Sequence, residues 1–293
     1  MKPSAFTYHA PTTLEQALEL LEEFGDDAKA LAGGQSLVPM MAFRLAAFGH
    51  LVDLGRIESL RGIDERDGGL RIGAGTRQCV LETDERVARL TPIVTEATRL
   101  IGHFQIRNRG TIGGSLAHAD PAAEYSAVAL ATDATVEVAS TAGTRTLAAD
   151  DLFESAYSTT LAPSELITAI EIPAARAGDG FAIRELTRRM GDFALAGAAV
   201  RVTRDGDGSL SDARVVAFAV AGRPLRLREA EQALNSGAAA ADLAQALERA
   251  TSDLEPADDA VATGHYRKVV IGHVAMQAIQ QAVERAGNGA TQQ

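Results

Sequence analysis

Two glycine pairs, each set just ahead of a run that reads as a helix, constrain this chain more than any other feature. The first lies in Ala32-Gly33-Gly34-Gln35-Ser36-Leu37-Val38-Pro39; the second lies in Thr111-Ile112-Gly113-Gly114-Ser115, after the basic run Ile106-Arg107-Asn108-Arg109-Gly110. A glycine lacks a Cβ, tolerates positive φ and lets its own N–H come close to a ligand, while a helix N-terminus adds unpaired donors and a partial positive charge. Such loops suit phosphate. A single Gly-Gly is most often only a turn or a cap, but two of them, flanked by Gln35, Ser36, Thr111 and Ser115, are harder to ascribe to coincidence. Neither pair fits the dinucleotide pattern G-x-G-x-x-G, and neither ends in the Gly-Lys-Ser/Thr of a P-loop. The Gly73-Ala74-Gly75-Thr76 fragment reads as a strand-end turn.

The pattern around these loops divides the chain into three units. In residues 1–56 a strand over "AFTYHAP" leads into a helix whose start, Thr13-Leu14-Glu15-Gln16, has capping-box form and whose stop is Gly25; buried strands "AKALAGG" and "HLVDLGRI" flank a helix over about 37–45. Residues 57–176 open with the strand "LRIGAGT" and continue with helices over about 77–89 and 91–101. The second glycine pair, the helix "AAEYSAVALA" and the alternating strands "ATVEVAS" and "ELITAIEIP" follow. After the turn-forming joint "IPAARAGDG", residues 177–293 carry the strands "FAIREL", "GAAVRVT" and "ARVVAFAV". Helices near 226–236, 240–250 and 264–285 complete this unit, and the tail "GNGATQQ" is expected to be disordered. An antiparallel sheet packed by helices is the expectation for this last unit, and an α+β class for the whole.

Composition narrows the function. With 293 residues and 46% hydrophobic content the chain can bury ample core, and a formal net charge of -11 without a Lys/Arg-rich block argues against nucleic acid or anionic lipid as a partner. The first residues, "MKPSAFTYHAPTT", lack the apolar core of a secretory signal. No apolar run approaches the ~18–20 residues that cross a bilayer, so a cytoplasmic location with no membrane span is expected. The single cysteine, Cys79, falls short of the ligand set of an iron–sulfur cluster and reads as a small buried hydrophobe. His103, His265 and His273 have no compact metal-ligand spacing, so no metal is assigned. No Ser/His/Asp set or carboxylate pair stands out, so no catalytic residue is assigned either.

Three segments in order, "AGGQSLVPMM", "IGHFQIRNRGTIGGSLAHADPAAEY" and "RRMGDFALAG", closely resemble the FAD-binding medium subunit of the molybdenum hydroxylases, the carbon monoxide dehydrogenase and xanthine dehydrogenase group. The resemblance covers about residues 2–285. It implies a two-part FAD-binding domain of the vanillyl-alcohol-oxidase (PCMH) type, followed by a C-terminal domain with an antiparallel sheet and a helical bundle.

The resemblance also implies site residues. Lys29, Ala30, Leu31, Ala32, Gly33, Gly34, Gln35, Ser36 and Leu37 would follow the diphosphate and ribityl chain, with Ile101 and Gly102 near the cofactor. Thr111, Gly113, Gly114 and Ser115 would form the second cradle; Ala117, His118 and Glu124 would continue toward the adenosine half, with Asp120 as the alternative to Glu124. Leu166 and Ile167 would line the cofactor, Arg184 would stand where relatives often carry lysine, and Phe193 would lie near the isoalloxazine. Taken alone, His118 is equally a hydrogen-bonded loop residue, Glu124 a charge favoured at a helix start, and Phe193 core filler. Arg107 and Arg109 read as solvated surface charge or as phosphate ligands, surface charge being the preferred reading.

In such a system the flavin supplies the redox chemistry and the protein supplies binding and electrostatics. The resemblance implies a large partner subunit with the molybdenum cofactor and a small one with [2Fe-2S] clusters, assembled as a dimer of heterotrimers, with electrons leaving through FAD to an external acceptor. A free-standing FAD-dependent oxidase of the same fold and an FAD-free scaffold are the alternatives. No covalent-attachment context for a flavin supports the first, and two intact glycine loops oppose the second.

Overall fold

The structure is a computed structural model that describes residues 2–66 and 68–288. Its first layer is a three-stranded parallel sheet of β1 (Thr7–His9), β2 (Ala28–Leu31) and β3 (His50–Asp53) in the order β1-β3-β2. Parallel neighbours need crossover connections, and α1 (Leu14–Phe24) and α2 (Leu37–Ala42) provide them. Thr13 caps α1 by accepting from the Gln16 N–H. The Gln16 side chain reaches back to the Thr12 N–H at 3.0 Å, one residue earlier than a capping box would place it. Ala17, Leu18 and Leu21 of α1 bury against Ala28, Val52, Ile57 and Leu60.

The next sheet is antiparallel. It contains β4 (Ile63–Arg66), β5 (Gly69–Gly73), β6 (Thr135–Ser140), β7 (Gly143–Ala148) and, beyond the small hairpin β8 (Phe153–Ser155) with β9 (Ser158–Thr159), the central strand β10 (Leu166–Pro173). The order is β4-β5-β10-β6-β7. Residues 166–170 are all buried, which explains why "LITAI" reads as a continuous apolar run. The edge strands β4 and β7 escape the pattern because most of their residues are exposed and neither carries a run of apolar side chains.

Between β5 and β6 run α3 (Gln78–Thr83), α4 (Glu85–Leu90), α5 (Pro92–Leu100), α6 (Phe104–Arg107), α7 (Ile112–His118) and α8 (Glu124–Ala131). The single helix expected over 77–89 is two, because the Asp84 carboxylate accepts from the Arg86 and Val87 N–H groups and restarts the chain as α4. Every residue of α8 is buried.

The last sheet is antiparallel in chain order: β11 (Asp179–Leu186), β12 (Ala196–Arg204), β13 (Leu210–Phe218) and β14 (Leu225–Arg226). One face carries Ala182, Val200, Val202 and Val215 into a core with α9 (Arg228–Asn235), α10 (Ala240–Ser252) and α11 (Gly264–Asn288). The other face carries Phe181, Ile183, Val216 and Phe218 into the core that contains α5, α8 and the five-stranded sheet. Arg285 of α11 fixes the join: its Nη1 donates to the Phe181 carbonyl at 2.6 Å and to Glu96 of α5 at 2.7 Å. The helix continues through Asn288, three residues past its expected end, and the rest of the expected disordered tail lies outside the described residues. The α+β architecture is the expected one. No helix among the described residues is long and apolar enough to cross a membrane.

Candidate cofactor site

The two glycine loops meet. Gly34 sits at φ +71°, and the turn it makes lets the Val38 N–H return to the Gly34 carbonyl at 3.1 Å as α2 begins. The N–H groups of Gly33, Gly34, Gln35 and Ser36 have no protein acceptor among the described residues. A Cβ on Gly33 would stand 2.8 Å from the Gly110 Cα, and one on Gly113 would stand 2.8 Å from the Ala74 Cα. Segments 32–34, 73–75 and 109–114 therefore converge on a seam that only glycine permits.

The second pair differs from the first. It lies inside the first turn of α7, not ahead of it, because Thr111 is the N-cap and its Oγ1 accepts from the Gly114 N–H at 3.1 Å. The Gly113 N–H donates to the Ala74 carbonyl at 2.9 Å and the Ser115 N–H to the Thr111 carbonyl at 3.1 Å. The first loop thus offers free backbone donors, and the second offers a close wall with its donors already engaged.

At the seam opens a cavity of about 590 Å³, within the range of ligand and cofactor sites. Lys29, Ala30, residues 32–37, Ile101, Gly102, Thr111, Gly113, Gly114, Ser115, Ala117, His118, Glu124, Leu166, Ile167 and Phe193 line it. Two residues singled out from the sequence do not. Leu31 lines an adjoining pocket on the other side of the first loop. Arg184 is exposed: on β11, residues 180, 182, 184 and 186 face α11, while 181, 183 and 185 face α5, α8 and the five-stranded sheet, so the strand's period of two sends Glu185 toward α8 and Arg184 away from it.

Glu124 is 7% exposed because it opens a helix buried on all sides. Burial pushes its carboxyl up to about 8, and the like charge of Glu185 adds to the effect. Glu185 is itself pushed up to about 7 by burial, and its Oε2 has no hydrogen-bond partner among the described residues. Asp120 has a different task, since its Oδ1 accepts from the Ala122 N–H at 2.9 Å and shapes the turn into α8. Burial lowers the pKa of His118, which favours the neutral ring; its neighbour across 5.2 Å is the ring of Tyr157, held at φ +60°.

The sequence patterns give neither the roles of Arg107 and Gln78 nor the presence of Gly191 and Asp192 beside Phe193 at the site. Arg107 is no solvated surface charge: its side chain is 13% exposed, it grips Glu82 through two nitrogens, and its Nη1 donates to the Ile101 and Gly102 carbonyls at 3.0 and 3.2 Å. It braces the turn that forms one cavity wall. Gln78 lines the cavity with a buried, unpartnered Oε1, a polar group positioned to be satisfied by a ligand. The loop between β11 and β12 brings Gly191, Asp192 and Phe193 to the cavity, and Phe193 is 68% exposed there, which sets aside its reading as core filler. Cys79 is half-buried on α3.

These features fit an elongated, diphosphate-bearing ligand: free N–H groups at one loop, an orphan amide oxygen, and apolar walls at Ile101, Leu166 and Ile167. Comparison with known proteins gives the ligand its name. Residues 4–175 match the family model of the FAD-binding domain in molybdopterin dehydrogenase, and residues 181–282 match that of the CO dehydrogenase flavoprotein C-terminal domain. The chain is 41% identical to the 6-hydroxypseudooxynicotine dehydrogenase complex subunit alpha of Paenarthrobacter nicotinovorans, covering 98% of this chain and 97% of that one. It is 40% identical to the carbon monoxide dehydrogenase medium chain of Afipia carboxidovorans, over 98% and 100% of the two. Among solved structures, a carbon monoxide dehydrogenase chain from Hydrogenophaga pseudoflava superimposes with a TM-score of 0.94 at 39% identity, over 97% of this chain and 99% of that one. A chain of quinoline 2-oxidoreductase from Pseudomonas putida 86 does so with 0.90 at 35% identity, over 98% and 99%. The glycine loops, the cavity and both halves of the chain thus converge on one conclusion: the protein belongs to the family of FAD-binding medium subunits of the molybdenum hydroxylases, and is the flavoprotein subunit of an oxidoreductase.

Proposed function

We propose that the chain is the electron-output subunit of a multi-subunit molybdenum hydroxylase, holding FAD non-covalently in the cavity at the glycine seam. The observation that carries this reading is the set of unpaired N–H groups at residues 33–36, where the first glycine loop meets the second at the wall of a cavity of cofactor size. FAD bound there would supply the redox chemistry, accepting electrons from [2Fe-2S] clusters of a small partner subunit and yielding them to an external acceptor.

The chain's own residues bind and orient. The 33–36 N–H groups would receive the diphosphate, Lys29 would add positive charge beside it, and Ile101 and Gly102, held by Arg107, would form a fixed wall. Glu124, largely protonated at neutral pH, can donate a hydrogen bond as well as accept one. Phe193 and its loop would cover the mouth and exclude water. Substrate oxidation would occur in a large subunit with the molybdenum cofactor, in a cytoplasmic dimer of heterotrimers. Relatives named as a medium chain and as a subunit of a dehydrogenase complex support the presence of partner subunits. The cofactor domain would span residues 1–56 and 57–176, and the C-terminal domain 177–293.

The test is purification of the chain alone. It should carry one FAD released by denaturation, be reducible by dithionite, and oxidise no nitrogen heterocycle, aldehyde or carbon monoxide until large and small subunits are added. Steady turnover of such a substrate by the chain alone, free of molybdenum and iron, would overturn the reading.

A further inference from the structure

Beside the first glycine loop lies a second pocket, of about 550 Å³, which shares residues 32–35, Gly55 and Arg77 with the cofactor cavity and extends beyond it to Leu31, Val38 and Pro39. Three arginines line it: Arg56 from the turn after β3, Arg77 at the N-cap of α3, and Arg109 after α6. They come from three separate segments, so sequence proximity does not explain their meeting. None of them has a carboxylate oxygen within 4.0 Å among the described residues, whereas Arg61 close by is paired with Glu58. The one acid lining the pocket, Asp53, is engaged by the Tyr8 hydroxyl and by the Gly55 N–H at 2.8 Å. Arg77 is half-buried, and desolvation together with the charges of Arg61 and Arg109 lowers its pKa. Arg56 and Arg109 are exposed beside it, and like charges gathered around a half-buried guanidinium favour an anion that offsets them. In a chain of net charge -11, such a concentration of unpaired guanidinium groups stands out.

We propose that this pocket is an anion site, adjoining the cofactor cavity and sharing Arg77 and the first glycine loop with it, that takes a phosphate-bearing ligand of its own. Guanidinium forks match phosphate oxygens in paired hydrogen bonds, and several of them around one pocket suit the higher charge of a phosphoryl group over that of a single carboxylate. Among the described residues the side chains of Arg56 and Arg109 make no hydrogen bond, so both are free to turn onto a ligand. Arg77 is less free, since it donates to the Arg109 carbonyl and so holds the loop that carries Arg109. The apolar rim of Val38, 52% exposed, and Pro39 offers a surface for a non-phosphate portion such as a nucleoside.

The experiment is calorimetric titration of the full chain, with and without FAD, using inorganic pyrophosphate, ADP and malonate at low ionic strength. Saturable pyrophosphate binding to the FAD-loaded chain is expected, weakened at least tenfold in both Arg56→Ala and Arg109→Ala, with FAD content and melting temperature unchanged in Arg56→Ala. ADP binding tighter than pyrophosphate would add the apolar rim to the site, and equal binding would confine recognition to the phosphate; both support the assignment. Absence of binding in both FAD states, malonate binding as tightly as pyrophosphate, affinities untouched by the two substitutions, or displacement of FAD by pyrophosphate would each overturn it. FAD content is read separately, so failure here is distinguishable from failure of the cofactor assignment.

Discussion

Gly33 and Gly110 belong to different layers of the cofactor domain, yet a Cβ on the first would come within 2.8 Å of the Cα of the second. The obstacle is backbone, which cannot rotate away, so Gly33→Ala must push the parallel-sheet unit off the loop that precedes α7. Overpacking of this kind costs about 1–3 kcal/mol. FAD content should fall with stability, because the seam is also the cavity wall. Gly206→Ala is the control: that glycine has nothing within 4 Å of the added carbon, and its backbone is not in the left-handed region. Urea unfolding and flavin absorbance of the two variants measure the difference, and equal behaviour would remove the seam from the account.

Glu124 gives a pH dependence whose sign follows from burial. Its folded-state carboxyl titrates at about 8 against 4.5 unfolded, so between these values the folded chain binds the extra proton. Stability therefore falls as pH rises from about 4.5 to about 8 and levels off above. Glu185, raised to about 7, contributes in the same direction over the lower part of that window. Glu124→Gln removes the main charge, and its apo form should lose much of the decline in melting temperature between pH 5 and pH 8.5. A variant with the same slope as the parent would show that the carboxyl is not titrating in that range.

Arg107→Ala removes both hydrogen bonds to the 101–102 turn and leaves Glu82 without its partner. Loss of a partly buried charged pair of this kind costs about 1.5–3 kcal/mol. FAD affinity should drop about tenfold as the turn loosens, and Arg107→Lys should restore little, since a single ammonium cannot span Glu82 and two carbonyls. Fluorescence titration of the apoprotein with FAD reads the affinity; full rescue by lysine would show that charge alone, and not the fork, matters.

The glycine loops were legible because caps and turns are local chemistry, written in adjacent residues such as Thr111 and Gly114. The long helices and the central strands were legible through their periods. The brace was not, because Glu82 and Arg107 stand 25 residues apart and only the fold brings them together. Arg184 was placed at the site when its neighbour Glu185 faces that side, since a shift of one residue on a strand inverts the face and nothing local to "FAIREL" shows which face a second layer will cover. The polar edge strands β4 and β7 carry no apolar alternation, so their pairing is visible only in the register of the sheet.

Phe193 separates a covering role from a structural one. It is 68% exposed yet lines the cavity, at the end of a loop whose Gly191, at φ +84°, would bring a Cβ within 2.7 Å of the His103 ring. Gly191 thus lets the loop lie against the turn that holds Ile101 and Gly102, and Phe193 extends from there to the cavity mouth. An exposed side chain contributes little to folding, so Phe193→Ala should shift unfolding free energy by no more than about 0.5 kcal/mol. Its effect should instead be on the cofactor, with FAD dissociating several-fold faster in stopped-flow dilution and the flavin becoming more accessible to iodide quenching. A variant that unfolds earlier but releases FAD at the parent rate would make Phe193 a packing residue and leave the cavity mouth without its cover.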